Sequence, residues 1–230
     1  IAKGQPNYPL RQRGKVATLA LGYQGGTKAL VNMGALRMGI PEKDLPDIKN
    51  KWRKANPHIV QFWDYCQKAA ISAIETGRSF RIRQLLTFSM VETEHLRLLA
   101  VKLPSGRQIF YPKPGIGVNR FGEKSITYWG TSTGSGDKQS SKKWRQLETY
   151  GGKLTENAVQ AIARDCLAVN LDRLEKAGYD VRFHIHDEVV CSQDTNCLDE
   201  IVEIMSQPID WAPGLPLNAD GWCGNYFTKD

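Results

Sequence analysis

Two groups of side chains have the types and spacing to do chemistry. Arg11, Lys15, Leu19 and Tyr23 are each four residues apart, a spacing that lines them along one face of a helix. Two cations one turn apart, followed by an apolar residue and a tyrosine, can hold a triphosphate at one end and a base or sugar at the other. The same stripe also fits an ordinary surface helix with a snorkelling lysine and arginine. The second group is His184-Ile185-His186-Asp187-Glu188-Val189-Val190. Val181, Phe183 and Ile185 alternate with Arg182, His184 and His186, and Val189, Val190 and Cys191 follow the acidic pair. This period-two pattern predicts a β-hairpin with the acids at its tight turn. A carboxylate held at a rigid strand tip suits a hard cation such as Mg²⁺. An acidic pair at a hairpin turn is also what a plain solvated turn contains. A His-x-His pair on one strand face has metallohydrolase spacing, but only His58 and His95 remain elsewhere to complete such a site.

The elements that must position these groups follow from the rest of the pattern. Residues 1 to 10 are turn-rich and are expected to be irregular. A helix is then predicted from Arg11 through Tyr23, with Val16, Leu19, Ala20 and Tyr23 as its apolar surface and Gly25-Gly26 as its stop. Trp52, Ile59, Phe62, Trp63, Cys66, Ala70 and Ile74 recur at helical spacing until Gly77, a core stripe. Residues 80 to 130 read as β and loop, with a hairpin whose arms, Leu98–Val101 and Arg107–Tyr111, flank Pro104-Ser105-Gly106. Gly130 to Ser141 reads as a polar loop. Lys142, Lys143, Trp144, Arg145 and then Lys153 follow it. Cations beside an aromatic suit a nucleic-acid backbone and equally suit a solvated loop face. A long helix is predicted from Thr155, as its cap, to Lys176, ended by Gly178. Its buried stripe is Ala158, Val159, Ile162, Ala163, Cys166, Leu167, Leu171 and Leu174; Glu156, Asn157, Gln160 and Arg164 lie on another face.

Composition bounds these readings. The chain has 230 residues, enough for one large domain or two small ones. Lys and Arg number 31 against 24 Asp and Glu, and the resulting +7 fits a polyanionic partner. The five cysteines form no CxxC and no zinc spacing, which suits a reducing compartment. No signal-peptide pattern and no bilayer-length apolar run is read, so the expected place is the cytoplasm, with no membrane partner.

Taken together, the two groups resemble a known family. Arg11-x3-Lys15-x3-Leu19-x3-Tyr23-Gln-Gly-Gly resembles the nucleotide-binding fingers helix of family A, polymerase-I-like DNA polymerases. His186-Asp187-Glu188-Val189-Val190 resembles that family's C-terminal catalytic motif, and the two occur in the family's order. Asn56-Pro57-His-Ile59-Val-Gln-Phe62-Trp63, Leu103-Pro-Ser-Gly-Arg107-Gln-Ile-Phe-Tyr111 and the stretch from Tyr150 to Asp165 are similar to phage-type members. The segment from Trp211 to Trp222 fits the family's palm-closing end, so the resemblance runs from Arg11 onward.

The resemblance implies an α+β fold. Antiparallel palm strands would carry Asp187 and pack on the long helix around Gln160, with residues 1 to 80 as helical fingers and 81 to 230 as C-terminal palm. It implies DNA replication chemistry: template-directed transfer of a nucleotidyl group from a deoxynucleoside triphosphate to a primer 3′-hydroxyl. Two Mg²⁺ ions would assist, and Mn²⁺ could substitute. Asp187 would be the metal-bridging carboxylate, with Glu188, facing the other way on a strand, as the second candidate ligand. His186 would contact the primer end. Lys15 would pair with phosphate charge and could protonate the departing pyrophosphate, while Arg11 would hold the outer phosphates in bidentate fashion. Tyr23 would stack near the template base, and Leu19 stands where the family usually has an aromatic that touches the sugar. Gln160 maps onto the family glutamine that touches the primer–template minor groove. The family's asparagine position is Glu156 here, with Asn157 one place off. A polar side chain there reads groove shape and matched pairing rather than sequence. Lys153 and Arg164 complete the DNA-facing set.

One part of the family pattern is missing. The family also uses an Asp in an Asp-x-Ser-x-x-Glu motif on an earlier palm strand, and no residue before Arg11 is acidic. Adjacent Asp187 and Glu188 diverge on a strand and cannot supply both carboxylates of a two-metal site. The expectation is half of a site, completed by an upstream segment or a second polypeptide bearing the other palm strand and the thumb. Two function classes stay open: a polymerase portion active once completed, and a nucleic-acid or nucleotide-binding module without turnover. A metal-dependent nuclease stands behind both.

Overall fold

The computed structural model describes residues 4–119, 121–131 and 143–228. Six α-helices and nine strands, all paired antiparallel, make these residues an α+β protein. Two compact units emerge. The first is built from the chain up to Lys102 together with Gln108–Ala158, and the second from Leu103–Arg107 and Val159 onward.

The first unit begins with helix α1 (Tyr8–Leu21), so the stretch before Arg11 is not irregular throughout. A proline in the first turn, Pro9, costs no intrahelical bond there and pre-sets the helical φ. The helix ends before Tyr23: Gly22 makes its last i→i−4 bond, to the Thr18 carbonyl at 2.8 Å, and Gln24, at φ 67, turns the chain away. Leu21 and Ala20 point into a core with Leu30, Ala35 and Leu45, against which Ile48 and Trp52 pack. Those partners come from α2 (Thr27–Asn32), the turn after it and α3 (Leu45–Ala55). Helix α4 (Pro57–Thr76) follows the expected stripe: Trp63, Cys66, Ala70 and Ile74 are buried, and Gly77 at φ 71 stops the helix. Trp63 stacks parallel to Trp52 at 6.3 Å. Ile59, at the exposed start of α4, is outside that core.

Four strands form a meander behind α4: β1 (Phe80–Ile82), β2 (Leu86–Glu92), β3 (Arg97–Lys102) and β4 (Gln108–Pro112). Phe88, Leu99 and Val101 are sealed from solvent, each such burial contributing about 1.5–3 kcal/mol. The β3–β4 hairpin closes through Pro104-Ser105-Gly106 as the sequence predicts. A second sheet contains β5 (Gly115–Val118), β6 (Lys124–Thr131) and β7 (Trp144–Thr149). The polar loop expected from Gly130 to Ser141 falls largely outside the described residues.

Helix α5 (Gly151–Lys176) starts four residues earlier than predicted, and Thr155 is not its cap. Thr155 is buried inside the helix, where its hydroxyl donates to the Gly151 carbonyl at 2.9 Å. Ala158, Cys166, Leu167 and Leu174 are buried as expected, but Val159 and Ala163 face solvent. In the second unit, Asn170 and Arg173 of α5 donate to the carbonyls of Met205 and Gln207 at the end of α6 (Leu198–Ser206). Strands β8 (Val181–Ile185) and β9 (Glu188–Cys191) form a separate two-stranded sheet, not part of a larger palm sheet among the described residues.

Candidate functional site

The cationic stripe sits on α1 as its spacing requires. Arg11 and Lys15 are exposed, and neither side chain makes a hydrogen bond or ion pair with a described residue. Leu19, one turn further, is 48 % exposed, so this face of α1 offers two free cations and an aliphatic patch to solvent. Tyr23 lies beyond the helix end, half-buried, and burial followed by the nearby Glu156 carboxylate raises its pKa.

Tyr23 is placed by a junction that the sequence did not disclose. Trp63 donates its indole N–H to the Gly22 carbonyl at 2.9 Å. Gln24, at φ 67, accepts the N–H of Gly152 at 2.9 Å, and Gln67 accepts that of Gly151 at 2.7 Å. These are two of the N–H groups that a helix N-terminus leaves without intrahelical partners, and here side chains from elsewhere in the fold satisfy them. The approach depends on glycine. A Cβ on Gly151 would overlap the Trp63 carbonyl, and one on Gly152 would overlap Gln24 and the Tyr23 carbonyl. The pair Gly151-Gly152 therefore lets the first turn of α5 press directly on the chain just after α1.

The first two turns of α5 carry two predicted site residues, Lys153 and Asn157. Lys153 pairs with Glu156 at 2.8 Å, and this hydrogen bond raises the lysine pKa. Asn157 donates to the Tyr111 hydroxyl at 2.8 Å, so one end of its amide is engaged. Burial pushes Tyr111 up to about 12, and its ring meets Tyr128 edge-on at 5.1 Å. Cys66, buried under Thr155, is likewise pushed up to about 11 by burial.

In the second unit, Gln160 and Arg164 are exposed one turn apart on α5. Between them the helix receives the Leu103–Arg107 turn. Asp165, 8 % exposed, accepts from the Ser105 hydroxyl and from Arg107 Nε, both at 2.5 Å, while Arg107 Nη2 donates to the Ala161 carbonyl at 2.8 Å. The sequence signal for this clamp was the Leu-Pro-Ser-Gly-Arg turn itself, whose polar pair matches a carboxylate on the helix.

The hairpin places its acids unequally. Ile185 pairs with Glu188, so the loop contains only His186 and Asp187. Asp187 is in the turn and exposed; Glu188 already belongs to β9 and shares the face of Ile185, Phe183 and Val190. Phe183 on that face meets Phe227 edge-on at 5.5 Å. His184 points the other way, and His186 turns the corner at φ 56. Neither the Asp187 nor the Glu188 carboxylate bonds to a described residue. The Asp187 carboxylate can therefore offer an oxygen to a hard cation such as Mg²⁺. Among the described residues, however, no three His, Cys, Asp or Glu side chains gather as a metal site. The residues present fit part of a ligand set. His58 and His95 are exposed and belong to the first unit.

Comparison with known proteins adds one strong likeness. Across 233 aligned residues, covering all of this chain, the sequence is 49 % identical to a DNA polymerase of Bacillus phage SP02. The chain spans 34 % of that relative's length. No family model matches the chain. No solved structure matches it either. Among the described residues no helix is long and apolar enough to cross a membrane.

Proposed function

We propose that this chain is the fingers and C-terminal palm portion of a template-directed, family A DNA polymerase, completed by an upstream segment that carries the other catalytic carboxylate. The carrying observation is the 49 % identity, over the whole chain, to a phage DNA polymerase of which the chain spans 34 %. The geometry of each unit is compatible with that reading.

Each residue then has a role its surroundings permit. Arg11 and Lys15, free and one turn apart, hold the triphosphate of an incoming deoxynucleotide, Arg11 through its planar fork and Lys15 as a point charge able to protonate pyrophosphate. Leu19 packs against the sugar with an aliphatic surface. Tyr23, fixed by the Gly22 and Gln24 contacts, presents its ring to the templating base. Gln160, Arg164 and Lys153 face primer–template DNA, and His186 stands beside Asp187 to meet the primer end. Asp187 is the chain's own donor to a divalent cation, with Glu188 behind it. When bound, Mg²⁺ (or Mn²⁺) supplies charge neutralisation and a more acidic 3′-hydroxyl. The residues here bind and orient; the second carboxylate comes from the upstream segment.

The test is primer extension with Mg²⁺ and four deoxynucleotides, using the chain alone, the chain with the upstream part of its polypeptide, and Asp187→Ala in both. We expect no extension from the chain alone, extension when completed, and a loss of about 100- to 1,000-fold in Asp187→Ala, the scale of removing a group that stabilises transition-state charge. Extension by the chain alone would refute the requirement for completion. Full extension by completed Asp187→Ala would refute the assignment of the carboxylate.

A further inference from the structure

The β5–β7 sheet has one face turned into the protein and one turned out. Pairing sets which residues share each face. Ile126 opposes Thr149 and Tyr128 opposes Leu147 on the inner face, where Ile126 and Thr149 are sealed from solvent. Thr127 opposes Glu148, Trp129 opposes Gln146 and Thr131 opposes Trp144 on the outer face. Trp129 and Trp144 are thus diagonal neighbours, about 7–8 Å apart at the backbone.

The outer face has an unusual composition. Trp144 is 54 % exposed, although indole is the largest apolar surface a chain can bury. Lys113 lies over the Trp129 ring with its ammonium 5.6 Å from the centroid, and Lys143 is exposed next to Trp144. Gly115 and Gly117 continue the same face on β5 beside Ser125, which is buried, so the open part of the face is the end with Trp129 and Trp144. Gln146 donates to Thr127 at 3.3 Å across the strands. The single anion of this face is Glu148, at the end away from Trp144.

We propose that this face is a stacking platform for single-stranded DNA, with Trp144 under a base and Lys113, steadied by Trp129, against the adjoining phosphate. The chemistry is general. Every base has a π-face that stacks on an indole whatever its sequence, and a nearby cation captures the backbone. An aromatic ring with a cation beside it, outside the cores of both units, matches that ligand better than it matches an apolar protein partner. The +7 charge of the chain points the same way. The proposal goes beyond the polymerase reading, giving the unpaired part of a primed template a second contact, but it can hold or fall without that reading.

The test uses the chain without metal or nucleotide and a fluorescein-labelled twelve-nucleotide deoxythymidine strand, followed by anisotropy. Trp144→Ala should weaken binding about tenfold, the expected scale for one stacked base, and Trp144→Phe should recover most of it. Lys113→Ala should lower the slope of log affinity against log salt by about one ion. An unlabelled blunt duplex of equal length should compete several-fold less well than the single strand. Unchanged single-strand affinity in a folded Trp144→Ala chain overturns the proposal. So does a shift from dimer to monomer in that variant with affinity intact, which would make the face a contact between copies. Because no extension is measured, either result leaves the polymerase reading to its own experiment.

Discussion

The junction between α1, α4 and α5 and the β8–β9 hairpin hold their side chains by opposite means. At the junction, Tyr23 is fixed by backbone pressed on backbone: indole to carbonyl, two glutamines on two helix-end N–H groups, and two glycines where no Cβ fits. In the hairpin, Asp187 is fixed by little more than a two-residue turn, and no residue of either strand is fully buried. Position comes from packing in the first case and from local turn geometry in the second. Substitution at the junction should therefore unfold the protein, whereas substitution of Asp187 should remove its carboxylate and leave the fold intact.

The sharpest way to break this comparison is Gly151→Val. Its branched side chain would meet the Trp63 carbonyl, which belongs to a rigid helix and cannot swing aside. A loss of about 3 kcal/mol is expected, at the upper end for overpacking, read as the shift in urea midpoint at constant slope. Asp187→Ala, in the same assay, should stay within about 0.5 kcal/mol of the parent, as exposed changes do. Equal losses in the two would erase the distinction.

A smaller effect comes from the protons buried beside the junction. Cys66 and Tyr111 are raised by burial from 9.0 to about 11 and from 10.0 to about 12. Above pH 9 the unfolded chain releases these protons while the folded protein keeps them, so the folded state binds more. Stability is therefore fully present below pH 9 and falls as pH rises through about 9 to 12, by up to about 3 kcal/mol for each group. Tyr111→Phe removes one ionisable group and should flatten the alkaline limb. At pH 8 it should lose about 1 kcal/mol with the Asn157 hydrogen bond. A limb as steep in Tyr111→Phe as in the parent would place the raised protons elsewhere.

These effects also mark what the sequence could disclose. Patterns of period 3.6 and 2 predicted α1, α4, α5 and both hairpins, because each element buries or exposes its own face. They missed helix ends set by partners distant in the chain. Tyr23 fell off α1 because Gln24 turns the chain away, and α5 began at Gly151 because Gln24 and Gln67 supply its caps. Neither glutamine has a local signal. Val159 and Ala163 were assigned to the core from apolarity alone, yet both face solvent on α5. Among the candidate site residues, Arg11, Lys15 and Asp187 were legible because exposed charges at fixed spacing need no partner to be noticed. The Ser105–Asp165–Arg107 clamp was legible only in its turn: nothing in the sequence says which carboxylate Ser105 and Arg107 meet until the turn folds onto the helix.

The mildest test lies at the hairpin corner. His186 adopts φ 56, a left-handed conformation that costs a side-chain-bearing residue about 1 kcal/mol and glycine almost nothing. Glycine also has more freedom to lose on folding, which offsets part of that gain. His186→Gly should then stabilise the chain by about 0.5 kcal/mol, visible as a small rise in thermal midpoint. If turn geometry is what holds Asp187, the variant keeps the hairpin and differs from the parent only through relief of the strained φ and loss of the imidazole. His186→Asn separates the two effects: asparagine tolerates the same φ but lacks the ring. A drop of more than about 1 kcal/mol in His186→Gly would mean that the imidazole packs the hairpin in place, and the hairpin would then resemble the junction more than its exposure suggests.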